Sequence, residues 1–292
     1  MLRLSLLALL LPFAVACATR DHGDRPVPDA STGDTGMPDA NVDAGTQDSG
    51  PRPDLGEPPD TTIVYAHSSH TLYAFDPRTN MVSTIGDFTL LDGTPTESMT
   101  DLAVDQHNQI YTCSRTAIYT VNRLTAVATH IADITVPAGA QFNGLTFVPA
   151  GVLDPVDEVL VGATDAGDYF SVDRTTGALM LRGTYQSGFG DSGDLVSVAG
   201  AGTFATVKRS DLTTDHLARI DPATGATTDL GDIGFAGVFG LGYWRAKLYG
   251  FTKTGQLIRI DVTTGAGTLV TTMTGATQFY GAGVTTLAPI LI

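Results

Sequence analysis

The sequence predicts an all-β fold, a five-bladed β-propeller. Three observations predict it: a strand–turn–strand pattern that recurs five times, recurrences spaced by about one blade, and a C-terminal segment matching the strand that the first unit lacks. Composition agrees. The chain has 292 residues, 33 of them glycine, with 42% hydrophobic and only 16% charged. That mix suits many short strands and tight turns better than long helices.

The elements follow in chain order. Arg3 precedes an apolar run from Leu4 to Val15, too short to span a bilayer of about 30 Å as a helix. A basic start, an apolar middle and small residues after it make a signal peptide over residues 1–16. Ala14-Val15-Ala16-Cys17 then resembles a bacterial lipobox. The resemblance implies a lipid anchor on Cys17 and, with Ala18 after it, the outer membrane or cell surface. Ordinary cleavage after Ala14-Val15-Ala16 is the alternative, and it would give a secreted or periplasmic protein.

Residues 17–60 read as a disordered acidic tether. Between residues 18 and 60 stand ten acids against Arg20, Arg25 and Arg52, with Pro, Asp and Gly throughout and hardly a large apolar residue. Such a chain buries too little surface to offset its ordering entropy. Like charge and proline extend it.

Residues 61–292 hold the repeats. They read LYAFDPRTNMVSTIG at 72–86, IYTVNRLTAVATHI at 118–131 and YFSVDRTTGALMLRG at 169–183. LARIDPATGATTDLG follows at 217–231 and LIRIDVTTGAGTLVT at 257–271. Asp76, Asn122, Asp173, Asp221 and Asp261 anchor them, at spacings of 46, 51, 48 and 40 residues, as a four-stranded blade requires. The anchor side chain can accept backbone N–H bonds from the turn. Four residues on, Gly177, Gly225 and Gly265 suit positive φ, and Asn80 tolerates it. Ala126 fits that conformation poorly, so its turn is expected to be the most distorted. The turn explains these recurring residues; a binding role is not needed.

Two strands precede each marked hairpin except the first, which has only Ile63–Ala66 before it. Gly283–Leu287 at the chain end matches the missing inner strand and would close the ring. The repeat signature resembles YncE-like, NHL-like and quinoprotein-like propellers. That resemblance covers residues 61–292 and implies architecture more than activity. The WD dipeptide of WD40 repeats is absent.

Function is less legible. The formal net charge of −15 argues against nucleic acid as a partner. There is no G-x-S-x-G elbow, phosphate-cradling loop, H-E-x-x-H or C-x-x-C. Cys113 lies in an apolar run and reads as a small buried residue. His67 and His70 lack a neighbouring carboxylate, so no metal or other cofactor is assigned. In propellers generally, ligands meet the face built by the loops entering each blade and the loops joining its two middle strands. By that analogy the candidate ligand-face residues are Asp101, Asn143, Asp191, Asp194, Phe189 and Tyr280. Phe142, Phe189, Phe239 and Tyr280 either plug the channel or offer stacking surfaces; the plug is the simpler expectation. The first reading is an envelope-anchored, monomeric binding module for a protein or glycan. The second is a glycosidase-like hydrolase or lyase using carboxylates at the channel mouth, with Glu97 as the one available proton donor.

Overall fold

The computed structural model describes residues 60–273 and 278–291. The signal segment, Cys17 and nearly all of the tether lie outside them. Five antiparallel four-stranded sheets make up the described chain. Blade 1 holds β1 (Val64–His67), β2 (Thr71–Asp76) and β3 (Met81–Asp87). Blade 2 holds β4 (Asp101–Val104), β5 (Ile110–Cys113), β6 (Ala117–Val121) and β7 (Ala128–Asp133). Blade 3 holds β8 (Phe142–Val148), β9 (Val159–Thr164), β10 (Asp168–Val172) and β11 (Leu179–Thr184). Blade 4 holds β12 (Gly190–Val198), β13 (Gly202–Lys208), β14 (His216–Ile220) and β15 (Thr227–Asp232). Blade 5 holds β16 (Val238–Trp244), β17 (Lys247–Thr252), β18 (Gln256–Ile260) and β19 (Gly267–Thr272). The last strand, β20 (Gly281–Gly283), completes blade 1 as its innermost member.

Closure follows from this last pairing. Tyr65, Ala66 and His67 of β1 pair with Gly283, Ala282 and Gly281. The innermost strands then touch in cyclic order, β20, β4, β8, β12, β16 and back to β20. The closing strand lies two residues earlier than Gly283–Leu287. Beyond Gly283 the chain leaves the sheet and crosses the base of the ring. There Thr285 bridges Val104, Ala199 N–H donates to the Thr286 carbonyl (2.8 Å) and Arg245 N–H to the Pro289 carbonyl (2.7 Å). The Thr286 hydroxyl donates to Glu158, whose other oxygen accepts the Gln106 N–H at 2.8 Å. One segment therefore ties blades 2 to 5 from below. The inner strands are buried on both faces, as at Asp101–Val104 and Gly190–Val198. Sheets packed between neighbouring blades require that.

The recurring turn also links blades. Its positive-φ residue reads 56° at Asn80, 60° at Ala126, 70° at Gly177, 71° at Gly225 and 76° at Gly265. Ala126 N–H donates to the Asn122 carbonyl at 2.8 Å, as Gly177 does to Asp173 and Gly225 to Asp221. The second turn thus shares the geometry of the others rather than being the most distorted. Ala126 is wholly buried beside Ala128 and Phe88, and this packing holds it left-handed despite the cost of about 1–2 kcal/mol. Turns dock on the bulged outer strand of the preceding blade. A Cβ at Gly183 would overlap the Thr224 carbonyl, and one at Gly231 the Thr264 carbonyl.

Asp60, the last residue expected in the tether, is fastened to this body. Its carboxylate accepts from Trp244 Nε1 (2.5 Å) and Arg245 Nε (3.2 Å). Arg78 donates to its carbonyl. These partners lie at the hairpin turns of the base.

Candidate functional site

Strand register places equivalent residues of the five blades in concentric rings at the upper end of the channel. The pairings Asp101–Cys113, Gly144–Ala163, Gly240–Phe251 and Gly281–His67 align four blades, and Leu195–Ala205 aligns the fourth blade's Asp194 with them. The innermost ring is therefore Asp101, Gly144, Asp194, Gly240 and Gly281. One residue earlier stand Thr100, Asn143, Gly193, Phe239 and Tyr280. The middle loops contribute Ser69, Arg115, Asp165, Lys208 and Lys253 at one equivalent position.

The innermost ring is a girdle. Asp101 and Asp194 are fully buried. Asp101 accepts the N–H of Leu102 (2.8 Å) on Oδ1 and that of Leu145 (2.5 Å) on Oδ2. Asp194 Oδ2 accepts the N–H of Leu241 and, at 3.1 Å, of Ala282. Burial raises both titrations, and the Asp194 charge raises that of Asp101 further. The two side chains, from β4 and β12, accept backbone N–H groups of β4, β8, β16 and β20. Glycine on the other three positions leaves them room: a Cβ at Gly281 would overlap both Asp101 Oδ1 and His67 Nε2. Asp101 and Asp194 were expected on the ligand face; the structure places them beneath it, bonded to backbone.

The other predicted residues divide. Asp191 is fully buried, with Tyr185 donating to its Oδ1 at 3.4 Å. Burial pushes its titration up to about 8, against the pull of Lys208. Phe189 is 4% exposed and lies beneath the Arg209 guanidinium, 4.8 Å from it, and beside His216. Phe142 is core. Asn143, Phe239 and Tyr280 reach the mouth. His67 is buried and His70 exposed; the first holds the Ser68 carbonyl at 2.7 Å and the second lies by Ser98. Burial lowers the His67 titration to about 4, so that ring is neutral.

A depression of about 310 Å³ occupies the mouth, lined by Thr100, Asn143, Gly193, Phe239 and Tyr280, by Arg115, Asp165, Lys208 and Lys253, and by Gln141 and Ser192. Every blade contributes. Phe239 and Tyr280 form a tilted pair, ring centroids 6.2 Å apart at 33°, and Lys253 Nζ lies 5.9 Å from the Phe239 centroid. Gly193 makes the room for Phe239, since a Cβ there would come within 2.6 Å of its ring. The aspartate girdle and the crossing C-terminal segment close the channel below, so the depression is blind. Among the described residues, Arg115, Lys208 and Lys253 make no salt bridge. Sequence reasoning missed all three cations, because only ring register shows that they converge. It also passed over Gln141.

Glu97, the one proton donor offered by the sequence, lies outside this depression. Partial burial would raise its titration, but hydrogen bonds from Tyr119 (2.7 Å), Thr116 and Ser114 hold it below the usual glutamate value. A general acid of a glycosidase needs the opposite shift.

No family model matches the chain, and a search of curated proteins returns no match. Solved structures do resemble it. A chain in a crystal structure of a nidogen/laminin complex is 10% identical with a TM-score of 0.50, over 76% of this chain and 98% of that one. A Bacteroides caccae protein of unknown function gives 10% identity and a TM-score of 0.43, over 75% and 77%. A structure from a study of the de novo evolutionary emergence of a symmetrical protein gives 15% and 0.47, over 79% and 100%. At such identities the likeness is one of fold, and the fold is a five-bladed β-propeller.

Proposed function

We propose that this protein is a non-catalytic binding module, held at the bacterial cell envelope by a lipid on Cys17, whose ligand enters the blind mouth of the propeller. The ligand is a protein or a glycan. The observation that carries this reading is the contrast between the rings. The aspartate girdle is bonded into the backbone, whereas Arg115, Asn143, Lys208 and Lys253 present side chains that the fold does not use. Such convergent, uncommitted polar groups beside an aromatic pair are what a ligand pocket needs. The apolar run before Cys17 and the acidic stretch after it support the anchored placement. Entry of the folded chain at the base, through Asp60, agrees with a mouth that faces away from the membrane. Repeats similar to YncE-like and NHL-like propellers fit the same role. The hydrolase reading has less support, because Asp101 and Asp194 are committed to backbone bonds and Glu97 is held low.

The test is Phe239→Ala with Tyr280→Ala, in the full chain, on an immobilised panel of envelope glycans and peptides. Binding by the natural protein should fall at least tenfold in the double variant, with a thermal midpoint unchanged within about 3 °C. Undiminished binding by the double variant would refute the mouth as the site.

A further inference from the structure

The geometry points to an acidic glycan, a chain ending in a uronate sugar, as the ligand of the mouth. This rests on the binding-module reading and names its ligand. Three observations converge. First, the folded part carries few cations, and the chain as a whole is at −15, yet one ring position holds Arg115, Lys208 and Lys253 against a single Asp165. Three cations from blades 2, 4 and 5 thus face one depression, without salt-bridge partners among the described residues. An anion entering the mouth meets these charges, and a guanidinium offers a carboxylate two parallel bonds.

Second, the rest of the lining is polar and carries donors and acceptors in both senses. Gln141 and Asn143 bring amides, and Asp165 an acceptor. An apolar peptide anchor would ask for an apolar pocket. Hydroxyl groups around a ring ask for this one.

Third, Phe239 and Tyr280 stand side by side at one wall, both half-exposed. They provide a flat apolar surface with one polar tip, and a pyranose ring has a matching apolar face. At about 310 Å³ the depression is at the lower end of ligand-pocket sizes, roughly 300–1,000 Å³. It closes below at the aspartate girdle. One terminal sugar therefore fits it, and a continuous strand passing through does not.

Isothermal titration tests this on the full chain with five probes: oligogalacturonate, oligoglucuronate, the carboxyl-reduced neutral form of each, and a tri-glutamate peptide. At least one acidic oligosaccharide should bind, and its reduced form should bind at least tenfold more weakly. Lys208→Gln and Lys253→Gln should each weaken the acidic sugar by roughly tenfold to a hundredfold, as loss of a charge-assisted bond does. Added salt should weaken it too. Failure of every acidic sugar, or equal binding of the reduced form, would overturn the proposal. So would tri-glutamate binding more tightly than either uronate. If a neutral sugar or the peptide binds and Tyr280→Ala abolishes that binding, the mouth remains the site and only the uronate assignment falls. If binding of any probe survives Tyr280→Ala with Phe239→Ala, both readings fall.

Discussion

Replacing Asp194 by alanine separates a structural carboxylate from a functional one. In the folded protein Asp194 Oδ2 takes the N–H groups of Leu241 and Ala282, and the side chain is fully buried. Alanine leaves both donors without a partner inside the ring. A buried donor left unpaired costs about 1–3 kcal/mol, so the two together cost about 2–6 kcal/mol. Against a total stability of about 5–15 kcal/mol, this is a large fraction. Asp194→Asn behaves differently. Its amide oxygen still accepts both N–H groups, and its NH₂ can donate to the Asp101 carboxylate. The expected loss is about 1 kcal/mol or less.

Urea unfolding at pH 7 measures this directly. Trp244 is the only tryptophan; it bonds Asp60 and lies 5.1 Å from the Arg245 guanidinium, so its fluorescence reports loss of the fold. The reasoning is refuted if Asp194→Ala lies within about 1 kcal/mol of the natural protein, or if Asn costs as much as Ala.

The same groups set the pH dependence. Folding raises the titration of Asp191 to about 8 and raises the Asp101–Asp194 pair, in each case chiefly through burial. An unfolded Asp loses its proton near pH 4. From there up to about pH 8 the folded state keeps a proton that the unfolded state has lost. Stability should therefore fall as pH rises from 5 to 8, by about 1.4 kcal/mol per pH unit for each retained proton. Asp191→Asn should flatten urea midpoints measured across that range; a rise with pH would contradict the assignment. Turn carboxylates such as Asp173 and Asp261 are lowered by backbone N–H bonds, so their contribution is lost only below pH 4. Ala126→Gly should stabilise the protein by up to about 1 kcal/mol, because its φ of 60° costs glycine nothing; a lower thermal midpoint would show that the lost methyl packing matters more. Cys113 is fully buried and its thiol is pushed up to about 11. Alkylation at pH 8 followed by peptide mapping should find it modified only after unfolding.

The ring was legible because its parts are local. The anchor Asp, the Thr and the left-handed residue lie within five positions, and their spacing gives the blade. Closure was legible for the same reason, since only the first unit lacks an inner strand. The exact closing residues were not, because Gly281–Gly283 carries hardly any side-chain pattern, whereas Val284–Thr286 looks like a strand and instead lies buried across the base. Ala126 misled because propensity ignores the packing that surrounds it. The site was legible only in outline. Asn143 and Tyr280 line the mouth, whereas Asp101, Asp191 and Asp194, the same residue type as a ligand-binding carboxylate, are buried. Their burial and partners depend on a register that spans the whole chain. Arg115, Lys208 and Lys253 stand in three different loops, with no shared motif.

Five-fold pseudosymmetry explains why the two kinds of ring can differ so much in chemistry. Five aspartates at the innermost position would place five charges around one axis, and burial would forbid it. Two aspartates suffice to accept four backbone N–H groups from four blades. Glycines fill the remaining places because a side chain at Gly281 would collide with Asp101, one at Gly144 with Leu195, and one at Gly240 with Ala282. Stability is thereby concentrated in a ring that faces no solvent. One residue higher, no such bond constrains the chain, and Thr100, Asn143, Phe239 and Tyr280 differ freely between blades. Changes at Arg115, Lys208 or Lys253 should therefore alter what is bound while leaving the unfolding midpoint in place, and changes at Asp101 or Asp194 should lower that midpoint before any ligand is added.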